Sequence, residues 1–389
     1  MGKSIVPVKT AERISSIDIL RGFALLGIVL VNSLGFNASF FDFGGFYSNL
    51  SNDFQKTFYT IYISLTADKF IFLFSFLFGY GMFLQFKKFN HSKKSFSQFF
   101  SRRMLVLFFF GIAHVLFLWA GDILILYSIT GLLMLIVCKL PTKWQIALAI
   151  FFYFFIGIWL SFSVWIHLPN ALSSTYTEGL QKAKLIYAHG NYFDCLNLRL
   201  QEYFAFRNIN VFYYLPKIIG LTILGFIAAK FNFHKKLAAN KLKWFLVLIF
   251  FATIGIALYF GFGKIVDPQS RFAMAISMTG YELTNLFIAM SYLLMILLLS
   301  SFFSISKFLR PFALMGRMSL TNYISQSIIF SIIFYSWGFG LFGQSKVTIV
   351  VLIAIVVYVF QVILNLIWFK FYQQGPLEKL WRKWSYKDY

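Results

Sequence analysis

An acidic and a basic residue stand at the start of an apolar stretch that is nearly long enough to cross a bilayer. Residues 15–34 read SSIDILRGFALLGIVLVNSL, with Asp18 three positions before Arg21. On a helix this spacing places both side chains on one face. Two roles stay open for the pair. It could lock the entry of a membrane helix, or Asp18 could orient Arg21 toward an anionic group such as a phosphate.

Further polar side chains fall near the same end of other apolar stretches. Arg317 and Asn322 belong to GRMSLTNYISQS, and Gln361 and Asn365 lie near the end of the last apolar run. Glutamine and asparagine at this i, i+4 spacing more often hold helices together than bind a ligand. The candidates for binding an anionic substrate are Arg13, Asp18, Arg21, Arg317 and Asn322.

A second group of polar residues is predicted near the opposite end of the apolar stretches. Ionisable side chains inside hydrocarbon are costly and usually face a partner or a water-filled cavity. A histidine poised by a carboxylate suits general base catalysis or a proton relay. Structural roles stay open beside these: Asp122 could be a helix N-cap and His114 a hydrogen-bonded bundle residue. The group is Asn32, Asp68, Lys69, His114, Asp122 and Glu282.

The composition predicts an all-α polytopic membrane protein. Of 389 residues, 59% are hydrophobic and 12% are charged, and Phe alone contributes 53. Soluble domains carry about 25% charged residues, and helices satisfy their own backbone hydrogen bonds in lipid. The net charge of +22 comes from basic residues between apolar runs, where the positive-inside rule and anionic lipids explain it, so nucleic acid is not an expected partner. Cys138 and Cys195 fall on opposite sides and are not expected to form a disulfide.

Hydropathy predicts ten transmembrane helices. The basic residues alternate between high and low counts from one interval to the next: loop 87–103 carries six, whereas the preceding loop carries one. This alternation places both termini in the cytoplasm of a bacterial plasma membrane. The predicted spans are about 17–35, 60–86, 103–120, 122–138, 144–166, 209–229, 243–262, 274–303, 313–339 and 347–371.

A basic segment near 230–243 divides the chain into two candidate parts. Residues 1–229 would form an acyltransferase-like bundle, and residues 230–389 a four-helix part with a cytoplasmic tail. Loop 167–208 shows helical spacing in LQKAKLIYAHG and CLNLRLQEYFAF, so it is predicted to form an outer-face cap or, alternatively, plain interfacial helices. The sequence has no HExxH or CxxC metal motif and no GxSxG or GxGxxG motif, so no metal is expected.

The sequence resembles the YeiB-like family of bacterial polytopic proteins, a domain of unknown function. The likeness begins at RISSIDILRGFALLGIVLVN and continues through DKFIFLFSFLFGYGM and RRMLVLFFFGIAHVLFLWAGDILILYSITGLL. It recurs at IYAHGNYFDCLNLRLQEY, GRMSLTNYISQSII and GPLEKLWRKWSY, in order along the whole chain.

The first spans are also similar to the transmembrane acyltransferases, which include heparan glucosaminide N-acetyltransferase and bacterial sugar O-acyltransferases. The shared pattern is Asp18, Arg21 and Gly22 at the opening of a span, with Asn32 fourteen positions after the aspartate and Asp68 in the second span. Heparan glucosaminide N-acetyltransferase carries its catalytic histidine just ahead of the aspartate that matches Asp68. The corresponding stretch of this chain, TFYTIYISLTAD, has no histidine. The resemblance implies transfer of an acyl group from cytoplasmic acyl-CoA to an extracytoplasmic hydroxyl or amine.

Under this hypothesis the catalytic candidates are His114, Asp122, Asp68 and Asn32. His114 would act as general base and Asn32 would donate to the oxyanion, while the substrate-binding candidates would include Lys69 beside the arginines. The alternative is a transporter of a small amphiphile that uses the same residues as a proton relay. A non-catalytic scaffold is a third possibility. Membrane lipids and small-molecule donor and acceptor are the expected partners, and assembly as a homodimer stays open.

Overall fold

The computed structural model describes residues 13–39, 50, 52–89, 95–159, 174–262 and 271–386. These parts contain helices and no strand, as predicted, and π-helical turns extend two of the helices at Phe151–Ile158 and Ile209–Tyr214. The α-helices are α1 (Ser15–Asn37), α2 (Asp53–Thr66), α3 (Lys69–Phe89), α4 (Phe96–Phe117), α5 (Leu124–Val137), α6 (Thr142–Ile150), α7 (Ser174–His189), α8 (Tyr192–Ala205), α9 (Leu215–Lys230), α10 (Phe233–Ala239), α11 (Lys241–Phe262), α12 (Arg271–Ser300), α13 (Phe303–Phe308), α14 (Arg310–Arg317), α15 (Ser319–Phe334), α16 (Val347–Phe371) and α17 (Pro376–Ser385).

The described helices form a polytopic membrane bundle. Seven helical segments are long and apolar enough to cross a membrane, and three shorter apolar helices, Leu124–Val137, Thr142–Phe155 and Ser319–Phe334, fall at other predicted spans. The fold class is therefore confirmed, whereas the number of ten spans and the orientation of the termini stay predictions. Residues 160–173, which include the end of the predicted span 144–166 and the start of loop 167–208, lie outside the described residues.

The predicted span 60–86 is interrupted in the structure. Helix α2 ends at Thr66 and α3 begins at Lys69, and Asp68 between them has a φ of +60°. A left-handed backbone is uncommon for residues other than glycine, although aspartate and asparagine adopt it more readily than most. The interruption sets Asp68 at the end of a helix rather than along its side.

Helix α1 is the central helix of the bundle. It packs against α3, α12, α14, α15 and α16, and Leu20, Ala24, Leu25 and Val29 are fully buried along it. Its apolar residues run almost all the way round the helix, as is typical of a helix buried among others. The polar residues near its two ends consequently face protein rather than lipid.

Glycine allows α1 and α14 to approach each other closely. A Cβ atom at Gly22 would lie 1.9 Å from the carbonyl oxygen of Phe312, and one at Gly316 would lie 2.0 Å from that of Asp18. Only a residue without a side chain fits such contacts. The glycine that follows Arg21 therefore has a packing reason, and the contact fixes α14 beside Asp18.

Helices α7 and α8 cover one end of the bundle. An asparagine–aspartate capping box starts α8, because the Asn191 side chain accepts from the backbone N–H of Asp194 and the Asp194 side chain accepts from that of Asn191. The buried carboxylate of Glu202 accepts a hydrogen bond of 2.7 Å from the Tyr187 hydroxyl of α7. The helices predicted within loop 167–208 are thus present and joined to each other.

Candidate functional site

Two cavities lie at opposite ends of α1. The inner cavity, of about 450 Å³, is lined from Asp18 and Arg21 near the start of α1. The outer cavity, of about 400 Å³, is lined from Asn32 and Gly35 near its end. By the charge alternation of the loops the inner cavity would open toward the cytoplasm. The two predicted polar groups thus each contribute residues to one cavity.

The inner cavity carries a concentration of positive charge. Its walls contain six cationic side chains and two carboxylates. The carboxylates are those of Asp18 and Glu378. A site that holds more cations than it can pair internally favours an anionic ligand, and arginine binds phosphate oxygens in two-point contacts. The cationic residues are Arg13, Arg21, Lys88, Arg103, Arg317 and Arg382.

Asp18 is held between two arginines. Its carboxylate accepts from Arg13 at 2.8 and 3.0 Å and from Arg21 at 3.1 Å. The aspartate is buried, with 4% of its surface exposed. Two guanidinium groups on one carboxylate leave a net positive charge, and the shared partner fixes both guanidinium groups against the cavity. The predicted orienting role of Asp18 is therefore matched by geometry.

The tail helix α17 closes one side of the inner cavity. The Glu378 carboxylate accepts from the backbone N–H groups of Leu320 and Thr321 at 2.8 and 3.1 Å, and from the Thr321 hydroxyl at 2.6 Å. It thereby caps the N-terminus of α15 from outside that helix. Burial raises the pKa of Glu378, against these hydrogen bonds, which lower it. This attachment brings Arg382 to the cavity wall.

A second contact fixes α17 to α4. The Trp381 indole donates to the carbonyl of Arg103 at 2.8 Å, and the Arg103 guanidinium lies 3.5 Å from the centre of the Trp381 ring. A guanidinium stacked on an aromatic face has a restricted orientation and keeps its N–H groups available at its edge. Arg103 and the tail residues escaped the sequence analysis, which used them only to count charge. The available signal is Glu378, one of two acidic residues in a basic tail.

The outer cavity gathers carboxylates and aromatic rings. Asn32, Asp68 and Asp122 of the predicted outer group line it, so three of the four catalytic candidates share one cavity. Glu202 of α8 lines it as well, with Tyr203, Phe206 and Asn210. The helices of loop 167–208 consequently form part of the cavity wall, which supports the interpretation as a cap.

His114 lies behind Asp122. Its Nδ1 is 3.1 Å from Oδ2 of Asp122 and its Nε2 is 2.8 Å from the Ser327 hydroxyl. Only 1% of the histidine is exposed, and Asp122 is the member of the pair that lines the cavity. The predicted pairing of His114 with a carboxylate is thus present. A proton could reach the histidine from the cavity through Asp122 rather than directly.

Lys69 and Glu282 of the predicted outer group lie away from both cavity walls. The Lys69 ammonium donates to Asn285 at 2.5 Å and to the carbonyl of Ala67 at 3.0 Å. Glu282 accepts from Lys217 at 2.5 Å. The geometry engages both groups with protein partners, so it gives no support to the predicted role of Lys69 in substrate binding.

Asn322 is also engaged by the protein. Its amide donates to the carbonyl of Met315 at 3.1 Å, and its own carbonyl accepts from Gln361 at 3.0 Å. Gln361 in turn accepts from Gln326 at 2.8 Å. These bonds join α14, α15 and α16, which is the inter-helix role expected of Gln361. The predicted ligand contact of Asn322 has no support from this arrangement.

Three residues form a wall common to both cavities. Ile28, Ile123 and Tyr323 line the inner and the outer cavity alike. The Tyr323 ring lies 5.1 Å from the His114 ring, and its buried hydroxyl has no hydrogen-bond partner among the described residues. Tyr323 was not predicted, because a tyrosine four residues before Ser327 in an apolar helix resembles ordinary core.

Comparisons with known proteins place this chain among bacterial proteins whose role is open. Residues 228–388 match the family described as "Protein of unknown function (DUF418)". The chain is 28% identical to "Uncharacterized protein YxaH" of Bacillus subtilis, over 98% of this chain and 96% of that protein. It is 29% identical to "Uncharacterized 39.9 kDa protein in amylase 3'region" of Bacillus acidopullulyticus, with the same coverage.

A further relative is the protein after which the YeiB-like family is named. "Uncharacterized protein YeiB" of Escherichia coli is 24% identical over 96% of each chain. No solved structure matches this chain. The described residues hold no cluster of three or more histidine, cysteine or acidic side chains that could bind a metal ion. On these matches and its helical membrane fold, the chain is similar over almost its whole length to YeiB-like bacterial proteins, and its residues 228–388 match the DUF418 family of unknown function.

Proposed function

We propose that this protein transfers an acyl group across the bacterial plasma membrane, from cytoplasmic acyl-CoA to a hydroxyl or amine on the other side. The observation that carries the proposal is the common wall of Ile28, Ile123 and Tyr323. These three side chains would lie between a donor in the inner cavity and an acceptor in the outer cavity. The reacting atoms could meet there after a small displacement of the wall.

The inner cavity suits the nucleotide end of CoA. The 3′-phosphate and the pyrophosphate of CoA need several cations, and six line this cavity. Arg21 and Arg13 are already oriented by Asp18, and Arg103 is oriented by Trp381. Fixed guanidinium groups lose little freedom on binding, so their contacts contribute more to affinity. The apolar side chains Ile17, Leu77 and Phe78 extend the cavity toward the wall.

The outer cavity supplies groups for the chemical step. The acceptor atom would attack the thioester carbonyl carbon, the C–S bond would break, and CoA would leave as a thiol. The proton of the acceptor would pass to the Asp122–His114 pair and from there to the sulfur. Asn32 lines the same cavity and would donate its amide N–H to the developing oxyanion. In this scheme Asp122 contacts the acceptor and His114 acts through Asp122.

Binding of acetyl-CoA to the purified full-length protein in lipid nanodiscs tests the proposal. We expect Arg21→Gln to weaken binding by about ten- to a hundredfold, the loss expected for one charge-assisted contact to phosphate. Arg310→Gln is the matched control, because Arg310 is exposed and does not line the cavity. Equal acetyl-CoA affinity in both variants, or no binding by the wild-type protein, would contradict the acyl-CoA site.

Transport of a small amphiphile is the second candidate. Two cavities separated by a thin wall are also the arrangement that alternating access requires. In proteoliposomes an acyltransferase consumes acetyl-CoA on the inner-cavity side and releases an acylated acceptor on the other. A transporter instead moves an unmodified solute with a dependence on the proton gradient and none on CoA. Measuring solute flux and acyl transfer on the same vesicles separates the two functions.

A further inference from the structure

The two cavities differ in the sign of their charge. The outer cavity has three carboxylates in its wall, those of Asp68, Asp122 and Glu202, and no lysine or arginine among its described lining residues. Aromatic side chains form much of the rest of its wall. A cavity with acidic groups and aromatic faces favours a cation, since both attract positive charge. The aromatic lining residues are Tyr59, Phe70, Trp119, Tyr203, Phe206, Tyr214, Tyr281 and Tyr323.

Two of the three carboxylates are engaged by protein groups. Oδ1 of Asp122 accepts the backbone N–H of Ile125 at 2.9 Å, and Oδ2 faces His114. Glu202 accepts from Tyr187 at 2.7 Å and from the Ser39 hydroxyl. Glu202 is thus engaged at both oxygens, whereas Oδ2 of Asp122 forms no hydrogen bond with a described residue. The remaining carboxylate, that of Asp68, has a hydrogen bond with the Tyr214 side chain and no cationic hydrogen-bond partner among the described residues.

Asp68 forms no ion pair with any described residue. It sits in the break between α2 and α3, with φ +60°, and lines the outer cavity. The two nearby buried lysines interact with Asp68 electrostatically, but their ammonium groups donate to other acceptors, Lys69 to Asn285 and Lys217 to Glu282, each at 2.5 Å. A carboxylate in a half-buried, low-dielectric position is stabilised strongly by a cation that reaches it.

The Tyr323 hydroxyl, which lies near the backbone of Ile123, is a further polar group at the wall of this cavity. The residue is 5% exposed and lines the cavity, and its hydroxyl has no hydrogen-bond partner among the described residues. An unpaired buried hydroxyl is costly unless a ligand or water completes it. Tyr323 and Asp68 both line this cavity, so they offer a neutral and an anionic group to one ligand.

We propose that the outer cavity binds a small molecule through a protonated amine, with Asp68 as its counter-charge and tyrosine rings as its walls. This inference deepens the proposed function, on which it rests, by naming the acceptor as an amine rather than a hydroxyl. During transfer an N–C bond forms and the thioester C–S bond breaks. The ammonium nitrogen loses two protons. The first leaves to the medium before the attack and frees the nitrogen lone pair, and the second passes to the Asp122–His114 pair and from there to the CoA sulfur.

Binding of 2-phenylethylamine and of its neutral counterpart 2-phenylethanol, measured by calorimetry on the full-length protein in nanodiscs, tests this inference. We expect the wild-type protein to bind the amine more tightly than the alcohol. Asp68→Asn should weaken amine binding by about ten- to a hundredfold and leave alcohol binding unchanged. Asparagine tolerates the left-handed backbone at this position. Asp53→Asn is the matched control, because the Asp53 side chain is fully exposed on α2.

Asp68→Gly, which also accepts a positive φ, serves as a second variant if Asp68→Asn does not fold. Equal binding of amine and alcohol, or amine binding that neither variant changes, would overturn the inference. Acetyl-CoA binding and turnover on the same preparations keep the two proposals separate. Amine binding that depends on Asp68, without acyl transfer, would support the amine site and contradict the proposed acyltransferase activity. Acylation of hydroxyl compounds without amine binding would support the acyltransferase activity and contradict the amine site.

Discussion

Asp122 uses its two oxygens for two purposes. Oδ1 caps the start of α5 by accepting the backbone N–H of Ile125, and Oδ2 faces Nδ1 of His114. The structural and the chemical interpretations of this residue are therefore compatible, because a carboxylate can accept at both oxygens. The cap also fixes the carboxylate against the cavity, and Ser327 fixes the opposite side of the His114 ring. The two side chains are therefore held 3.1 Å apart, and a small rotation would bring them into the hydrogen bond that proton transfer requires.

His114→Gln should separate chemistry from binding at this pair. Glutamine can still hydrogen-bond to Ser327, but it cannot take up a proton. We therefore expect acyl transfer to fall by about a hundredfold to ten-thousandfold, the range for removal of a general base, with acetyl-CoA affinity unchanged. His189→Gln is the control, since His189 is exposed at the end of α7. Wild-type turnover in His114→Gln, or a parallel loss of acetyl-CoA binding, would remove the histidine from the proposed reaction.

At the scale of elements, the inner cavity depends on helices that meet at small residues. The close approach of α14 to α1 at Gly22 and Gly316 sets Arg317 near the Asp18 network, and α17 is attached to α15 and α4 through Glu378 and Trp381. The cations of the cavity therefore come from α1 and the residues just before it, from α3 and α4, from the end of α14 and from α17. Such a cluster needs each of these contacts, because like charges repel unless the helices hold them in place.

Gly22→Ala and Gly316→Ala should each destabilise the protein. A Cβ atom at these positions would lie 1.9 and 2.0 Å from a backbone carbonyl of the facing helix, so α1 and α14 must separate. Overpacking of this kind costs about 1–3 kcal/mol, which thermal unfolding in detergent can measure. At Gly261 in α11 no atom lies within 4 Å of an added Cβ, and alanine favours helix, so Gly261→Ala should cause no loss. Equal unfolding temperatures for all three variants would contradict the close contact.

At the scale of the whole molecule, the sequence predicted fold class and residue types better than partners. Apolar run length and charge alternation indicated the membrane bundle, because lipid imposes both. The cost of burying charge identified Asp18, His114 and Asp122 as residues with partners. Helix order does not determine which side chains share a cavity. The sequence therefore does not predict that Arg103, Arg382 and Tyr323 line the cavities, and it cannot show that Asn322 and Lys69, two predicted substrate-binding residues, lie outside the cavity walls. Those distinctions depend on rotation about each helix axis and on a tail helix that returns to the bundle.

The orientation of the whole molecule determines whether the inner cavity can meet cytoplasmic acyl-CoA, and cysteine labelling tests it. The native cysteines, Cys138 and Cys195, are buried and free, and both would be replaced by alanine. In that background we expect a membrane-impermeant maleimide on intact cells to label His189→Cys and not Lys235→Cys, since both sites are exposed but the basic loop 230–243 should be cytoplasmic. Permeabilised cells should label both. Labelling of Lys235→Cys in intact cells would show that the six cations of the inner cavity do not face the cytoplasm. Cytoplasmic acyl-CoA could then not reach its proposed site.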